Sequence, residues 1–168
     1  KIRGALEETR LPPEFLELEL TESSLMSDPG QAGALLREIR EVGVRIAIDD
    51  FGTGYSSLTY LHDFPLNALK IDRNFVQSVE ANDRGGPIAD MIVGLGKNLG
   101  LDVIAEGVET QGQLEYLKEQ GCDVAQGYLY AKPQTPEELT PWLAAHQRLS
   151  ETNVRSLPRV KRDDETGT

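Results

Sequence analysis

The sequence predicts an α/β fold made of five strand–helix units whose strands are parallel. Short apolar runs rich in β-branched residues alternate with segments that carry apolar residues at helical spacing. The run at 44–50 is apolar on both faces until its acidic end, which is typical of a parallel strand covered by helices on both sides. The predicted strands are 16–21, 44–50, 68–72, 102–106 and 124–130.

Helix-start and helix-stop signals separate these strands. Asp28 is a predicted N-cap with Pro29 at the first helical position, and Gly43 ends the helix that follows. The other predicted helices are a short one near 58–61, one from Pro87 to Gly100, one from the capping box of Thr110 and Gln113 to Gly121, and one from the capping box of Thr135 and Glu138.

Length and composition predict one folded domain over residues 1–147. The chain has 168 residues, 39% of them of hydrophobic type, which suits a single domain with a buried core. Residues 148–168 are polar, charged and aperiodic, and they are predicted to form a disordered or linker tail.

The charge balance excludes some partners. A net charge of −11 argues against nonspecific binding to a polyanion such as duplex nucleic acid. No apolar run reaches the roughly 20 residues that a membrane span needs, and the N-terminus does not read as a signal peptide. We expect a cytoplasmic protein.

Polar side chains mark the end of every predicted strand. In parallel α/β proteins the carboxyl ends of the strands meet on one face, where catalytic groups collect. Four carboxylates gathered there would repel one another without cations, and oxygen ligands suit Mg²⁺ or Mn²⁺. The predicted site residues are Glu19, Asp49, Asp50, Lys70, Glu106 and Gln126.

Two architectures are compatible with five such units. An open doubly wound sheet is complete at this length, whereas a closed (β/α)8 barrel needs three more strands. A polar group at every strand end, however, favours a ring of strands over a single ligand site at one switch point of an open sheet.

Five motifs point to one family. They are ELTES at 19–23, DDFGTGYSSL at 49–58, LKID at 69–72, AEGVET at 105–110 and QGY at 126–128. In this order they resemble the EAL-domain cyclic di-GMP phosphodiesterases, over about residues 1–145. The resemblance implies a partial (β/α)8 TIM-type barrel whose five parallel strands are the fourth to the eighth.

The resemblance also implies roles for the strand-end residues. Glu19 corresponds to a ligand of a first metal, Asp49 to a carboxylate that bridges two metals, and Asp50 and Glu106 to residues at the second. Lys70 corresponds to the lysine that positions or polarises the attacking water. Two divalent ions, Mg²⁺ or Mn²⁺, would then support an in-line displacement at phosphorus.

Three more residues gain roles by the same resemblance. Glu109 and Gln126 correspond to groups near the water and the substrate, and Glu22 to the glutamate that anchors the loop at 51–58. Tyr128 and Tyr130, in contrast, are interpreted as packing residues.

One departure from the family pattern concerns the ligands of the first metal. The glutamate of the Glu-Ala-Leu motif and a metal-binding asparagine belong to the second and third strands of the family's barrel, which these residues do not include. We expect the chain to be the C-terminal part of the domain, with about 100 preceding residues and sensory or GGDEF domains elsewhere.

The resulting functional interpretation is part of a metal-dependent phosphodiesterase that hydrolyses cyclic di-GMP to linear pGpG, with the chain alone inactive. The alternative is a non-catalytic module that binds cyclic di-GMP or serves regulation and oligomerisation. A homodimer or higher oligomer is expected because a partial barrel leaves strand edges unpaired.

Overall fold

The computed structural model describes residues 1–52, 58–79 and 85–153. The chain divides into two units, Lys1–Ala131 and Lys132–Thr168. The first unit contains the sheet and every predicted site residue, so it determines where the functional groups lie.

The first unit is a parallel sheet with helices between its strands. Its five strands follow the order β1-β2-β3-β4-β5, and all neighbouring pairs are parallel. This confirms the predicted α/β class. In chain order the elements are α1 (Ile2–Thr9), a 3₁₀ helix (Pro13–Phe15), β1 (Glu17–Thr21), α2 (Glu22–Met26), α3 (Pro29–Val42), β2 (Arg45–Phe51), α4 (Leu58–Asp63), β3 (Ala68–Ile71), α5 (Arg73–Gln77), α6 (Gly85–Leu99), β4 (Asp102–Glu106), α7 (Gln111–Gln120) and β5 (Val124–Gln126).

Most strand boundaries lie within one residue of the prediction, and β4 matches it, but β5 is much shorter than predicted. The strand ends at Gln126 instead of residue 130. From Gly127 the chain turns, and the backbone N–H of Tyr130 donates to the carbonyl of Gly127 at 3.1 Å. The predicted last strand is therefore wrong over residues 127–130.

The predicted helix caps are confirmed where the chain begins α3 and α7. Asp28 accepts a hydrogen bond from the backbone N–H of Gln31, and Gly43 ends α3 with φ 94°. Thr110 and Gln113 form the reciprocal capping box that opens α7. No sequence signal predicted α1, α2 or α5, which have eight, five and five residues.

The core lies on both faces of the central strands. Every residue of β3 is buried, and so are Ile46 and Ile48 of β2. Leu36 of α3 and Ile92 of α6 are among the helix residues that pack into the same cluster. Because β3 is enclosed on both faces, any charged side chain on it has to find partners inside the sheet.

An ionic network ties the amino ends of three strands together. Arg45 at the start of β2 contacts Glu17 of β1 through Nε at 3.1 Å and Asp102 of β4 through Nη2 at 2.7 Å. All three side chains keep a sizeable exposed fraction, so each pair contributes at most about 1 kcal/mol. This network lies at the end of the sheet opposite the predicted site.

The second unit contains α8 (Pro136–Asn153). The backbone N–H of Thr135 donates to Oε2 of Glu138 at 3.1 Å, which is one half of the predicted capping box. The helix includes residues 148–153, where the sequence predicts a tail. The remainder of the predicted tail lies outside the described residues.

None of the helices in the described segments combines the length and apolar character needed to cross a bilayer.

Two adjacent leucines of α3 provide a matched test of the core. Leu36 is 1% exposed and Leu35 is 54% exposed. We expect Leu36→Ala to lower the free energy of unfolding by about 2–5 kcal/mol, because it leaves a cavity in the core. Leu35→Ala should change it by about 0.5 kcal/mol or less. Urea denaturation followed by circular dichroism measures both, and equal losses would contradict this packing.

Candidate functional site

Strand register places four charged side chains on one face of the sheet. Glu19 of β1 pairs with Ala47 of β2, which lies two residues before Asp49. Ala47 also pairs with Ala68 of β3, which lies two residues before Lys70. Lys70 in turn pairs with Ile104, two residues before Glu106. Side chains two residues apart on a strand share a face, so these charged groups lie on the same side and near the carboxyl ends of the strands.

Lys70 is the centre of this group. Its Nζ lies 2.6 Å from Oε1 of Glu19, 2.5 Å from Oε1 of Glu106 and 3.5 Å from Oδ1 of Asp49, and its side chain is 3% exposed. Burial by itself would lower the pKa of Lys70. The hydrogen bonds with Glu106 and Glu19 and the charges of Glu106 and Asp49 outweigh burial and raise the pKa above its ordinary value.

The three carboxylates around Lys70 form a group that could hold a metal ion. One oxygen from each of Glu19, Asp49 and Glu106 lies within 4.8 Å of the others. The donors are all carboxylate oxygens, which hard divalent ions such as Mg²⁺ and Mn²⁺ prefer. Three carboxylates with one ammonium also leave two negative charges, so the set fits a divalent cation.

Asp50 has a different environment from its neighbour Asp49. Its backbone is in the left-handed region with φ 53°, and its N–H donates to Oδ1 of Asp49 at 3.0 Å. Burial, the charge of Asp49 and a hydrogen bond with Asp72 raise the pKa of Asp50. The structure thus pairs Asp50 with Asp72 and does not include it in the three-carboxylate group. Its predicted contact with a second metal stays a prediction.

Glu22 contacts the first part of the loop that the resemblance assigns to it. Its side chain is buried, and Oε2 accepts a hydrogen bond from the backbone N–H of Gly52 at 3.2 Å. Gly52 has φ 93°, a conformation that favours glycine. Loop residues 53–57 lie outside the described residues, so the role of Glu22 as anchor of the whole loop stays a prediction.

A cavity of about 210 Å³ lies beside Glu106. It brings together the predicted residues Glu106, Glu109 and Gln126, and its other lining residues are Arg73, Gly107, Gly127 and Tyr128. Oε1 of Glu109 accepts a hydrogen bond from Nε2 of Gln77 at 3.3 Å. Glu109 and Gln126 thus line one cavity next to the carboxylate group, and their proximity to a substrate stays a prediction.

Close backbone packing fixes the wall of this cavity that follows β5. A Cβ built on Gly127 would lie 2.2 Å from the carbonyl oxygen of Val108, so no other residue fits without a shift of the backbone. The N–H of Val108 donates to the carbonyl of Gln126, and the N–H of Leu129 donates to the carbonyl of Val108, both at 3.0 Å. Gln126 and Tyr128 are therefore held against the segment after β4.

Two candidates at this cavity were missed by sequence reasoning. Tyr128 was interpreted as a packing residue, but it is 57% exposed because β5 ends before it and the chain turns to the surface. Arg73 received no role at all. Its position directly after the LKID motif was the one signal in the sequence that could have drawn attention to it.

Comparison with known proteins gives matches over most of the chain. Residues 1–133 match the family described as the EAL domain. The chain is 46% identical over 157 residues to the cyclic di-GMP phosphodiesterase NbdA of Pseudomonas aeruginosa, which covers 94% of this chain and 20% of NbdA. The chain thus spans about one fifth of the length of this relative.

Solved structures show the same similarity. The PaMucR phosphodiesterase in complex with c-di-GMP matches with a TM-score of 0.79 and 44% identity, covering 82% of this chain and 56% of that chain. The manganese and cy-diGMP complex of Klebsiella pneumoniae BlrP1 matches with a TM-score of 0.72 and 32% identity. This match covers 79% of this chain and 34% of the BlrP1 chain. These matches confirm the predicted family resemblance and the partial barrel.

Metal binding by the three carboxylates can be tested through stability. A saturating divalent ion stabilises the folded chain by mass action, and at a hundred times Kd we expect Mn²⁺ to raise Tm by about 5–10 °C. Asp49→Asn should remove most of this shift. Asp63→Asn, an exposed position on α4, is the matched control and should keep it. Equal shifts in both variants would show that the ion binds elsewhere.

Replacement of Lys70 tests the charge balance of the group. Lys70→Met leaves Glu19, Asp49 and Glu106 uncompensated, so in EDTA we expect a loss of about 2–3 kcal/mol of unfolding free energy. The same variant should bind Mn²⁺ more tightly than the parent, since a competing positive charge has gone. The exposed Lys118→Met is the control, and calorimetric titration measures the affinities. Weaker Mn²⁺ binding by Lys70→Met would contradict this arrangement.

Proposed function

The chain belongs to the EAL domain family, and on this premise we propose that it forms part of a metal-dependent phosphodiesterase that hydrolyses cyclic di-GMP to linear pGpG. The observation that carries the proposal is the group of Glu19, Asp49 and Glu106 around the buried ammonium of Lys70. The names of NbdA and PaMucR, which are described as phosphodiesterases, support the same reaction.

The carboxylates have a binding role in this proposal. Glu19, Asp49 and Glu106 would hold Mg²⁺ or Mn²⁺ at the carboxyl ends of the strands, and the solved manganese complex of BlrP1 supports a metal of this kind. The ion, when bound, lowers the pKa of water and offsets the negative charge of the phosphodiester. Asp50 would contribute to a second ion, as the resemblance implies.

Lys70 acts as a hydrogen-bond donor in this proposal. The surrounding carboxylates raise the pKa of Lys70, which favours its protonated form near neutral pH. It would orient the attacking water and offset negative charge that develops on the phosphate oxygens. Hydrolysis adds the water oxygen to one phosphorus and releases one ribose oxygen, which takes up a proton.

Gln126 and Glu109 would complete the substrate side of the site. Both line the cavity beside Glu106. Gln126 offers both hydrogen-bond donors and acceptors, and Glu109 offers acceptors. We propose that they hold the nucleotide and its surrounding water in place.

Activity can be tested by supplying the two ligands that the family places on earlier strands. The test joins the preceding EAL segment of NbdA to residues 1–168 and supplies Mn²⁺. We expect the joined protein to convert cyclic di-GMP to pGpG, and Lys70→Met to slow it about a hundredfold or more. Residues 1–168 alone should be slower by a similar factor, because the phosphate is no longer held in line. Nucleotide products are separated by liquid chromatography.

The joined Lys118→Met protein serves as the control and should retain full activity. A joined protein that folds and binds Mn²⁺ but leaves cyclic di-GMP intact would overturn the proposed hydrolysis. Binding of cyclic di-GMP without hydrolysis would instead favour the alternative of a non-catalytic binding or regulatory module.

A further inference from the structure

Gln113 of α7 holds the backbone of the segment that carries Glu109. Its Oε1 accepts a hydrogen bond from the N–H of Glu109 at 2.8 Å and another from the N–H of Thr110 at 3.1 Å. The bond from Thr110 belongs to the capping box that opens α7. The bond from Glu109 lies outside the capping box, because Glu109 precedes the N-cap residue. Gln113 therefore contacts a predicted site residue as well as the start of its own helix.

The burial of Gln113 makes these two hydrogen bonds hard to replace. Gln113 is only 4% exposed, whereas Glu109 is exposed and lines the cavity beside Glu106. Loss of the Oε1 acceptor would leave two backbone N–H groups without their partner next to a buried side chain, which is costly. We expect the backbone at 109–110 to shift toward other acceptors in that case.

Contacts on either side of Glu109 complete its restraint. The N–H of Val108 donates to the carbonyl of Gln126 at 3.0 Å, so the residue before Glu109 is tied to β5. Oε1 of Glu109 accepts a hydrogen bond from Nε2 of Gln77 at 3.3 Å, and this exposed bond is long enough to be weak. The position of the Glu109 carboxylate therefore depends mainly on its backbone, in which the N–H groups of residues 108–110 all have acceptors.

We propose that Gln113 is a positioning residue that acts through Glu109 in the hydrolysis of cyclic di-GMP. This inference rests on the proposed function, in which Glu109 holds the nucleotide and its surrounding water. A displacement of about 1 Å in a group that orients the reactants can cost about a hundredfold in rate. Gln113 prevents such a displacement by removing conformational freedom from the backbone that carries the carboxylate.

A double-mutant cycle tests the inference in the protein that joins the preceding EAL segment of NbdA to residues 1–168. Gln113→Met keeps the approximate size of the side chain and removes the acceptor, and it is combined with Glu109→Gln. We expect each single variant to lower kcat/KM for cyclic di-GMP about tenfold or more. In the Glu109→Gln background, Gln113→Met should cause less than about a twofold further loss, because its effect is transmitted through the carboxylate.

Two matched variants separate positioning from helix capping. Thr110→Ala removes the other half of the capping box, the Oγ1 that accepts from the N–H of Gln113 at 3.1 Å, and leaves the bond to Glu109. It should lower Tm by about 2–4 °C, as Gln113→Met does, while kcat/KM stays within about twofold of the parent. Gln113→Glu keeps an acceptor at this position and should restore kcat/KM to within about threefold of the parent. Gln113→Asn, whose acceptor is drawn away by one methylene, replaces Gln113→Met in the cycle if that variant does not fold.

Each failure gives a distinct result. Equal losses from Gln113→Met in the parent and Glu109→Gln backgrounds would show that Gln113 supports the fold alone, and this overturns the inference while the proposed function stands. The same conclusion follows if Thr110→Ala lowers kcat/KM as much as Gln113→Met, or if either Gln113→Met or Glu109→Gln is as active as the parent. A joined parent that folds but leaves cyclic di-GMP intact overturns the proposed function, and the inference falls with it.

Discussion

The ammonium of Lys70 is the constraint on which the site and the sheet both depend. A lysine that is almost fully enclosed on a central strand is retained only if carboxylates surround it, because an unpaired buried charge costs several kcal/mol. Glu19, Asp49 and Glu106 meet this requirement from three other strands. A shift of one residue in the pairing of any strand would turn its carboxylate to the opposite face, so the charges help to specify the register.

The same charges also determine what chemistry the site can perform. The carboxylates raise the pKa of Lys70 and so favour its protonated form, which is a hydrogen-bond donor. Three carboxylates exceed one ammonium by two charges, and a divalent cation removes this excess. Replacing a buried ion pair by apolar residues of similar volume is often neutral or stabilising, so the stability of the fold alone does not require these charges.

Local sequence patterns were sufficient to predict much of the fold and most of the central group. The boundaries of β4 and the caps at Asp28 and Thr110 follow from signals within a few residues. The strand-end rule found Glu19, Asp49, Lys70 and Glu106 because each follows apolar residues in a short predicted strand, and period-two alternation then places them on one face. The membership of a family was also evident from the motifs.

The features that could not be predicted from the sequence depend on contacts between distant segments or on elements too short for a periodic pattern. Asp49 and Asp50 are adjacent and cannot both face the same side of a regular strand, and only the structure shows that Asp50 turns to Asp72. Arg73 begins a helix of five residues, which is too short for a periodic pattern. The early end of β5 depends on the approach of Gly127 to Val108, and no local signal reports such a contact.

The contact between Gly127 and Val108 has a consequence for how this region can change over evolutionary time. Because the wall after β5 is held by main-chain atoms, its shape does not depend on the side chains at positions 126 and 128. Substitutions there can alter what the cavity recognises while the backbone remains in place. As long as position 127 is glycine, the backbone of this segment keeps its position. The side chains at 126 and 128 can then change, and ligand preference with them, without a matching loss of stability.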